Sequence, residues 1–201
     1  MPSPNWARIT IAIAALVSAG IILATGGSVN INAAKALASA SSVVILVLLA
    51  FDKWLWRLPG VRQLHKRPVL HGTWKTELRT SYRDRQDELI ECYLVIDQSY
   101  SQICARMLFD RSRSASMSGE LVREDGRCVL YYVFRSDKGA LEPATNPPSR
   151  GAADLTVGML PAIHLEGDYW MEVGTKGQLR TIGRSKKIYD TFAGAMQGQY
   201  R

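Results

Sequence analysis

Catalytic and metal-binding signatures are what this chain has least of. Its 201 residues hold three histidines, His65, His71 and His164, and none stands at metal-ligand spacing from another. Three cysteines, Cys92, Cys104 and Cys128, are odd in number and have no CxxC spacing, which fits reduced thiols rather than a zinc site or a disulfide framework. No GxSxG elbow, Walker loop or Gly-rich dinucleotide turn occurs. Glu166 and Asp168 share a strand face at i, i+2, and paired carboxylates do acid–base work when turned into a cleft; on an outward face they only solvate it. The expectation is a non-enzyme with no metal and no cofactor.

A second scarcity is positive charge in the C-terminal two thirds. The formal net charge is +7, yet residues 1–70 hold seven basic residues against the single acid Asp52. From His71 onward the signs nearly balance. Binding to a DNA or RNA duplex needs a clustered cationic face, so no duplex partner is expected.

What the chain has instead, at its start, is a pair of apolar runs. The first is Ile9 to Ala24 and the second runs from about Ala36 to Phe51, joined by the polar link Thr25 to Asn32. A helix rises about 1.5 Å per residue, so crossing a ~30 Å hydrocarbon core takes roughly 20 residues. Extension to Trp6–Thr25 and Ala33–Phe51 supplies that length, with the Lys35 stem carrying its ammonium to the interface and Trp54 and Trp56 at headgroup level. Basic residues gather on the outer flanks, with Arg8 before the runs and Lys53, Arg57, Arg62, Lys66 and Arg67 after them. The positive-inside rule then predicts a transmembrane hairpin with both termini cytoplasmic. A cleaved signal peptide followed by one span is the alternative, and it also leaves the C-terminal domain in the cytoplasm. Small residues in both runs (Ala12, Ser18, Gly20; Ala38, Ser39, Ser42) permit close helix approach, within one chain or between chains.

From His71 the hydrophobic period changes to two. Alternation predicts strands over Gly72–Thr80, Ile90–Asp97, Gln102–Phe109, Ser114–Val122, Arg127–Arg135, Ala152–Met159, Ile163–Met171 and Gln178–Lys186. Turn chemistry at Asp125-Gly126 and around Gly174 makes the order a meander, and an eight-stranded meander closes to remove its edges. The predicted organisation is a hairpin (1–58), a basic juxtamembrane linker (59–70) and a lipocalin-like up-and-down antiparallel β-barrel (71–201) wide enough for one small ligand. Gly72-Thr73-Trp74 opens the first strand; with Trp74 inward, Thr76, Leu78 and Thr80 follow inward. Leu130 and Tyr132 share a parity, as do Leu165, Gly167 and Tyr169, whereas the facing of Ser114, Ser116 and Ser118 stays open. The long connection Ser136–Arg150, with Pro143, Pro147 and Pro148, is either a lid or a surface loop. Ile188, Phe192 and Met196 lie at helical spacing, suited to a short helix that plugs a barrel mouth or docks on a neighbour, with a frayed tail as the alternative.

The order of these motifs resembles the two-transmembrane, β-strand-rich effectors associated with bacterial CD-NTases in CBASS antiphage defence. The likeness rests on the N-terminal hairpin, Pro68…Gly72-Thr73-Trp74, Ile96-Asp97-Gln98, Ser114-Ala-Ser116 with Leu121, Leu130-Tyr-Tyr132, Arg150-Gly151 before Leu155, and Leu165-Glu-Gly167-Asp-Tyr169-Trp170. It implies an anchored barrel that binds a cyclic dinucleotide or oligonucleotide from a partner CD-NTase. Homo-oligomerisation and disruption of the inner membrane would follow, arresting the infected cell. The residues expected to line or rim the pocket are Trp74, Thr76, Ser116, Tyr132, Tyr169 and Arg180: rings stacking on bases, hydroxyls on base edges, the arginine on a phosphate. Met171 and Val173 stand where relatives often have a threonine and an arginine; if those groups touch ligand in relatives, this chain reads a different ligand or uses Arg180 or Arg184 instead. The competing expectation is a constitutive membrane-tethered, lipocalin-like carrier of an apolar molecule.

Overall fold

A computed structural model describes residues 12–22 except 14, 18 and 21, then 31–61, 67–82, 88–138, 148–158 and 163–201. The polar link at 25–30, the collar residues Arg62 and Lys66, the Lys35 side chain and the loop residues 139–147, with Pro143 and Pro147, lie outside the described residues. By internal contact the chain divides into two compact units, Met1–Arg67 with Ser99–Gln102, and Pro68–Gln98 with Ile103–Arg201.

The first unit carries helix α1 (Ile31–Lys53), with a basic residue, Lys53, in its last turn, where the helix dipole favours a cation. Positions 12, 13, 15–17, 19, 20 and 22 are also helical. Counted over the described residues, no helix is long and apolar enough to cross a membrane. Val43, Ile45, Leu46, Val47 and Leu49 of α1 are all exposed. A single 3-10 turn, Leu55–Arg57, follows and buries Trp56. Asp52 takes the Ser101 amide on its carboxylate (2.8 Å), and its carbonyl takes the Tyr100 amide (2.9 Å). Phe51 meets the Tyr100 ring edge-on at 5.2 Å.

The second unit is an antiparallel barrel of eight strands, closed in sequence order. Its strands are β1 (Gly72–Thr80), β2 (Ile90–Gln98), β3 (Ile103–Leu108), β4 (Ser112–Glu124), β5 (Arg127–Lys138), β6 (Ser149–Gly158), β7 (His164–Met171) and β8 (Lys176–Ser185). The eight expected strands are all present, and alternation accounts for the core. Trp74, Leu78, Leu94, Ile96, Leu130, Leu155, Leu165 and Leu179 pack in one interior cluster. Asp125 and Gly126 both take positive φ (47° and 77°), the turn that lets β4 and β5 follow their natural twist. Those two strands and β6 run further than alternation alone predicts. The ladder continues through Ser114 opposite Ser136 and Ser136 opposite Ser149, so the connection expected over Ser136–Arg150 is strand at both ends.

The tail departs from expectation. Helix α2 (Phe192–Met196) is capped by the Thr191 hydroxyl, which accepts from the Gly194 amide. Together with Ile188, Tyr189 and Tyr200 the helix covers Tyr93, Val95 and Leu108, the outward residues of β2 and β3. It neither plugs a mouth nor buries Met196, which is 59% exposed. The cause is β2 itself: Cys92–Ile96 is buried on both faces, so its outer side needs a cover that the tail supplies.

Candidate ligand-binding site

One end of the barrel is stoppered by its own leader segment. Gln98, fully buried at the end of β2, accepts the Leu70 amide on Oε1 (2.7 Å) and donates from Nε2 to the Pro68 carbonyl (3.1 Å). Both ends of its amide are therefore satisfied by the strap 68–70, which is held across the opening. The Trp74 indole donates to the Leu70 carbonyl at 2.8 Å, and the Arg184 guanidinium lies over the ring 4.7 Å from its centroid. Arg184 also donates to the His71 carbonyl at 2.8 Å. These bonds make Trp74 a structural stopper as well as an interior aromatic.

Farther along, the interior carries hydroxyls and rings. The Thr76 hydroxyl, buried, turns back to the Trp74 carbonyl at 3.1 Å. Tyr132 lies 5.8 Å from Phe134, and burial pushes its phenol pKa up, so it stays a neutral donor. At the far end the Tyr169 phenol donates to Thr80 Oγ1 at 2.8 Å, and burial again raises its pKa despite that bond. The Thr80 hydroxyl also accepts the Tyr82 amide at 3.2 Å.

The serine row of β4 resolves through a bulge. The register shifts between Ser116 and Ser118, leaving Met117 unmatched and 61% exposed. Ser114 thus faces in and is buried, Ser118 faces out, and inward parity resumes at Gly119 opposite Tyr132. Ser116 is half-buried, and its hydroxyl accepts the Ala105 amide at 2.9 Å, which mends the β3–β4 ladder at the irregularity.

Of the six residues expected to line or rim the pocket, the structure brings Trp74, Thr76, Tyr132 and Tyr169 into the interior and puts Ser116 in the wall. Arg180 needs correction. Leu179 and Thr181 face inward, so Arg180 projects outward from β8, opposite Glu77 on β1 and Glu166 on β7. An open groove of about 430 Å³ lies there, and its charged lining, Glu77, Arg79, Glu166, Asp168 and Arg180, holds more acid than base. That balance is poor for a phosphate. Glu166 and Asp168 are exposed on the same outer wall, where they line this open groove and not the barrel interior. The inward arginine is Arg184, placed there by a second register shift between Lys75 and Thr76 that pairs Trp74 with Arg184. Sequence reasoning names it only as a substitute, and quotes Gln98 only within the Ile96-Asp97-Gln98 motif without its role, because nothing local shows that an amide will pair with a strap 28 and 30 residues upstream. Among the described residues no cluster of His, Cys, Asp and Glu could hold a metal ion.

A closed eight-stranded barrel, stoppered at one end and lined by rings and hydroxyls, has the architecture of the small-ligand-holding β-barrels. The particular lineage follows from the sequence of that same unit. The chain belongs to the Cap15 cyclic dinucleotide receptor domain family, whose model matches residues 65–183. It is also similar to CD-NTase-associated protein 15 of Staphylococcus schleiferi, with 24% identity over 139 residues covering 69% of this chain and 74% of that protein. The kinship with CD-NTase-associated effectors drawn from motif order is thereby shown. The matched stretch includes all eight strand cores and every residue expected at the site except the substitute Arg184.

Proposed function

We propose that this protein is a CBASS effector whose barrel binds a cyclic dinucleotide made by a partner CD-NTase, without catalysing a reaction. The observation that carries the reading is the family match over residues 65–183, which coincides with the barrel. The interior chemistry supports it: Tyr132 and Tyr169 offer faces for stacking on bases, and neutral phenols and hydroxyls offer hydrogen bonds to base edges. An apolar cargo would gain nothing from the Tyr169–Thr80 pair, which is why the constitutive carrier is the weaker reading.

The N-terminal part is, in this proposal, the output element. Five exposed apolar residues between Val43 and Leu49 give that stretch of α1 an apolar surface, as expected of a helix solvated by lipid. The segment anchors the protein in the inner membrane with both termini and the barrel in the cytoplasm. Ligand binding then drives association of copies and membrane disruption. A ligand can shift such an equilibrium only by binding one state better than the other. Thermal denaturation of the full chain with cyclic di-GMP, cyclic di-AMP, cyclic di-UMP and cyclic GMP–AMP tests the input step. Stabilisation by one or more of them is expected, and a flat response across these and a wider set of cyclic oligonucleotides would remove the ligand from the proposal.

A further inference from the structure

At the end of the barrel away from the Trp74 stopper, β4, β5 and β6 place three serines on one rung. Ser114 stands opposite Ser136, and Ser136 stands opposite Ser149. Inward parity is continuous with the core: Ser136 follows Leu130, Tyr132 and Phe134, and Ser149 precedes Gly151, Ala153 and Leu155. Directly opposed side chains have Cβ atoms about 5 Å apart, so the hydroxyls form one polar strip across three strands. Ser149 is 2% exposed, and its Oγ is buried with no hydrogen-bond partner. A hydroxyl kept dry and unbonded is costly, and native proteins keep few of them without a use.

The chemistry of the strip selects its ligand group. Its members are neutral hydroxyls that both donate and accept, and no arginine or lysine occupies the rung positions Ser114, Ser136 and Ser149 or the Met107 position that opposes Ser114. The rung positions themselves supply no cation to offset the desolvation of a phosphate. The edge of a nucleobase has both donors and acceptors and carries no charge. On the same strands the Phe134 ring lies against Gly151, where a Cβ would collide with it, so an aromatic face adjoins the strip.

We propose that the Ser114–Ser136–Ser149 rung reads the hydrogen-bonding edge of one base of the cyclic dinucleotide, with Ser149 Oγ as its most deeply placed contact. The inference rests on the ligand reading above and specifies which atoms discriminate between ligands. The test is calorimetric titration of the full chain and its Ser149→Ala, Ser136→Ala and Ser118→Ala variants with the same four cyclic dinucleotides, beside melting curves without ligand. Removing an unbonded hydroxyl should leave the ligand-free melting temperature of Ser149→Ala equal or higher. Its affinity for the ligand preferred by the parent chain should fall roughly tenfold, since a base atom would be left unpaired, and its preference over the other three should narrow. Ser136→Ala should weaken the same ligand several-fold, and outward Ser118→Ala should change nothing. If the parent chain binds and both Ser149→Ala and Ser136→Ala keep its affinities and order of preference within about twofold, the rung assignment is overturned while the receptor reading stands. If the parent chain binds none of the four, both fall. Should Ser149→Ala lose its fold, Ser136→Ala decides alone.

Discussion

Gln98 is the residue on which the closed end of the barrel turns. Its amide partners two main-chain groups, the Leu70 N–H and the Pro68 C=O, both in buried surroundings. Gln98→Ala should therefore leave a donor and an acceptor unpaired as well as a cavity, a loss of about 2–4 kcal/mol on chemical denaturation. A change below about 0.5 kcal/mol would mean that water replaces the amide and that the strap does not close that end. The two arginines of β8 make a matched pair of expectations. Arg180→Ala, on the exposed outer face, should alter stability by no more than about 0.5 kcal/mol and leave ligand affinity unchanged. Arg184→Ala should cost more than that, through the lost packing on Trp74 and the lost bond to the His71 carbonyl. Alternation alone makes Trp74, Thr76, Tyr132 and Tyr169 legible in the sequence, because period two survives wherever a strand is regular. It cannot place Ser116 or Arg184. Each sits at a register shift, and one unmatched residue transfers the following parity to the other face.

At the scale of elements, the instructive one is the C-terminal tail, which acts as a cover for β2. Phe192 and Tyr200 flank the Tyr93 ring at 5.4 Å and 5.5 Å, and the Tyr200 phenol donates to the Ala195 carbonyl at 2.7 Å. Tyr93 in turn donates to Glu91 at 2.8 Å. Burial is the main cause that pushes the Tyr200 pKa up to about 12, and burial followed by the Glu91 bond raises that of Tyr93. A raised phenol pKa means that the fold favours the protonated form. Its contribution is complete below the unfolded value near 10 and is lost as pH climbs through the folded value. The tail should therefore be the first element to loosen in alkali. Tyrosinate absorbance should rise in step with amide exchange of residues 192–200, before β5 and β6 open; simultaneous opening of all strands would contradict a separable cover. Phe192→Ala, at a half-buried ring, should cost about 1–2 kcal/mol, below the ~3–5 of a fully buried one. The helical spacing of Ile188, Phe192 and Met196 announces a helix here. Its docking site is hidden because Tyr93 and Val95 read as the solvent face of a regular strand, whereas β2 is buried on both sides.

For the whole molecule, the division into two compact units lets the input and output of the proposed mechanism be separated by experiment. The barrel unit begins at Pro68 and contains the strap, the stopper, the interior rings and hydroxyls and the tail that covers β2. Among the described residues, the buried core cluster of the barrel is drawn from Leu70 to Leu179, so a chain without residues 1–60 should keep its ligand response. At a ligand concentration about one hundred times Kd, binding to the folded state alone adds about 2.7 kcal/mol, which shifts the melting temperature by several degrees at this size. The truncated chain should show that shift undiminished. Leakage of dye from vesicles of bacterial lipid, on the other hand, should need the full chain and the ligand together, because the five exposed apolar residues of α1 between Val43 and Leu49 are removed with the truncation. Leakage caused by the truncated barrel would contradict an output carried by the N-terminal segment. Leakage by the full chain that is indifferent to ligand would contradict the coupling, since a ligand that favours neither state moves no equilibrium.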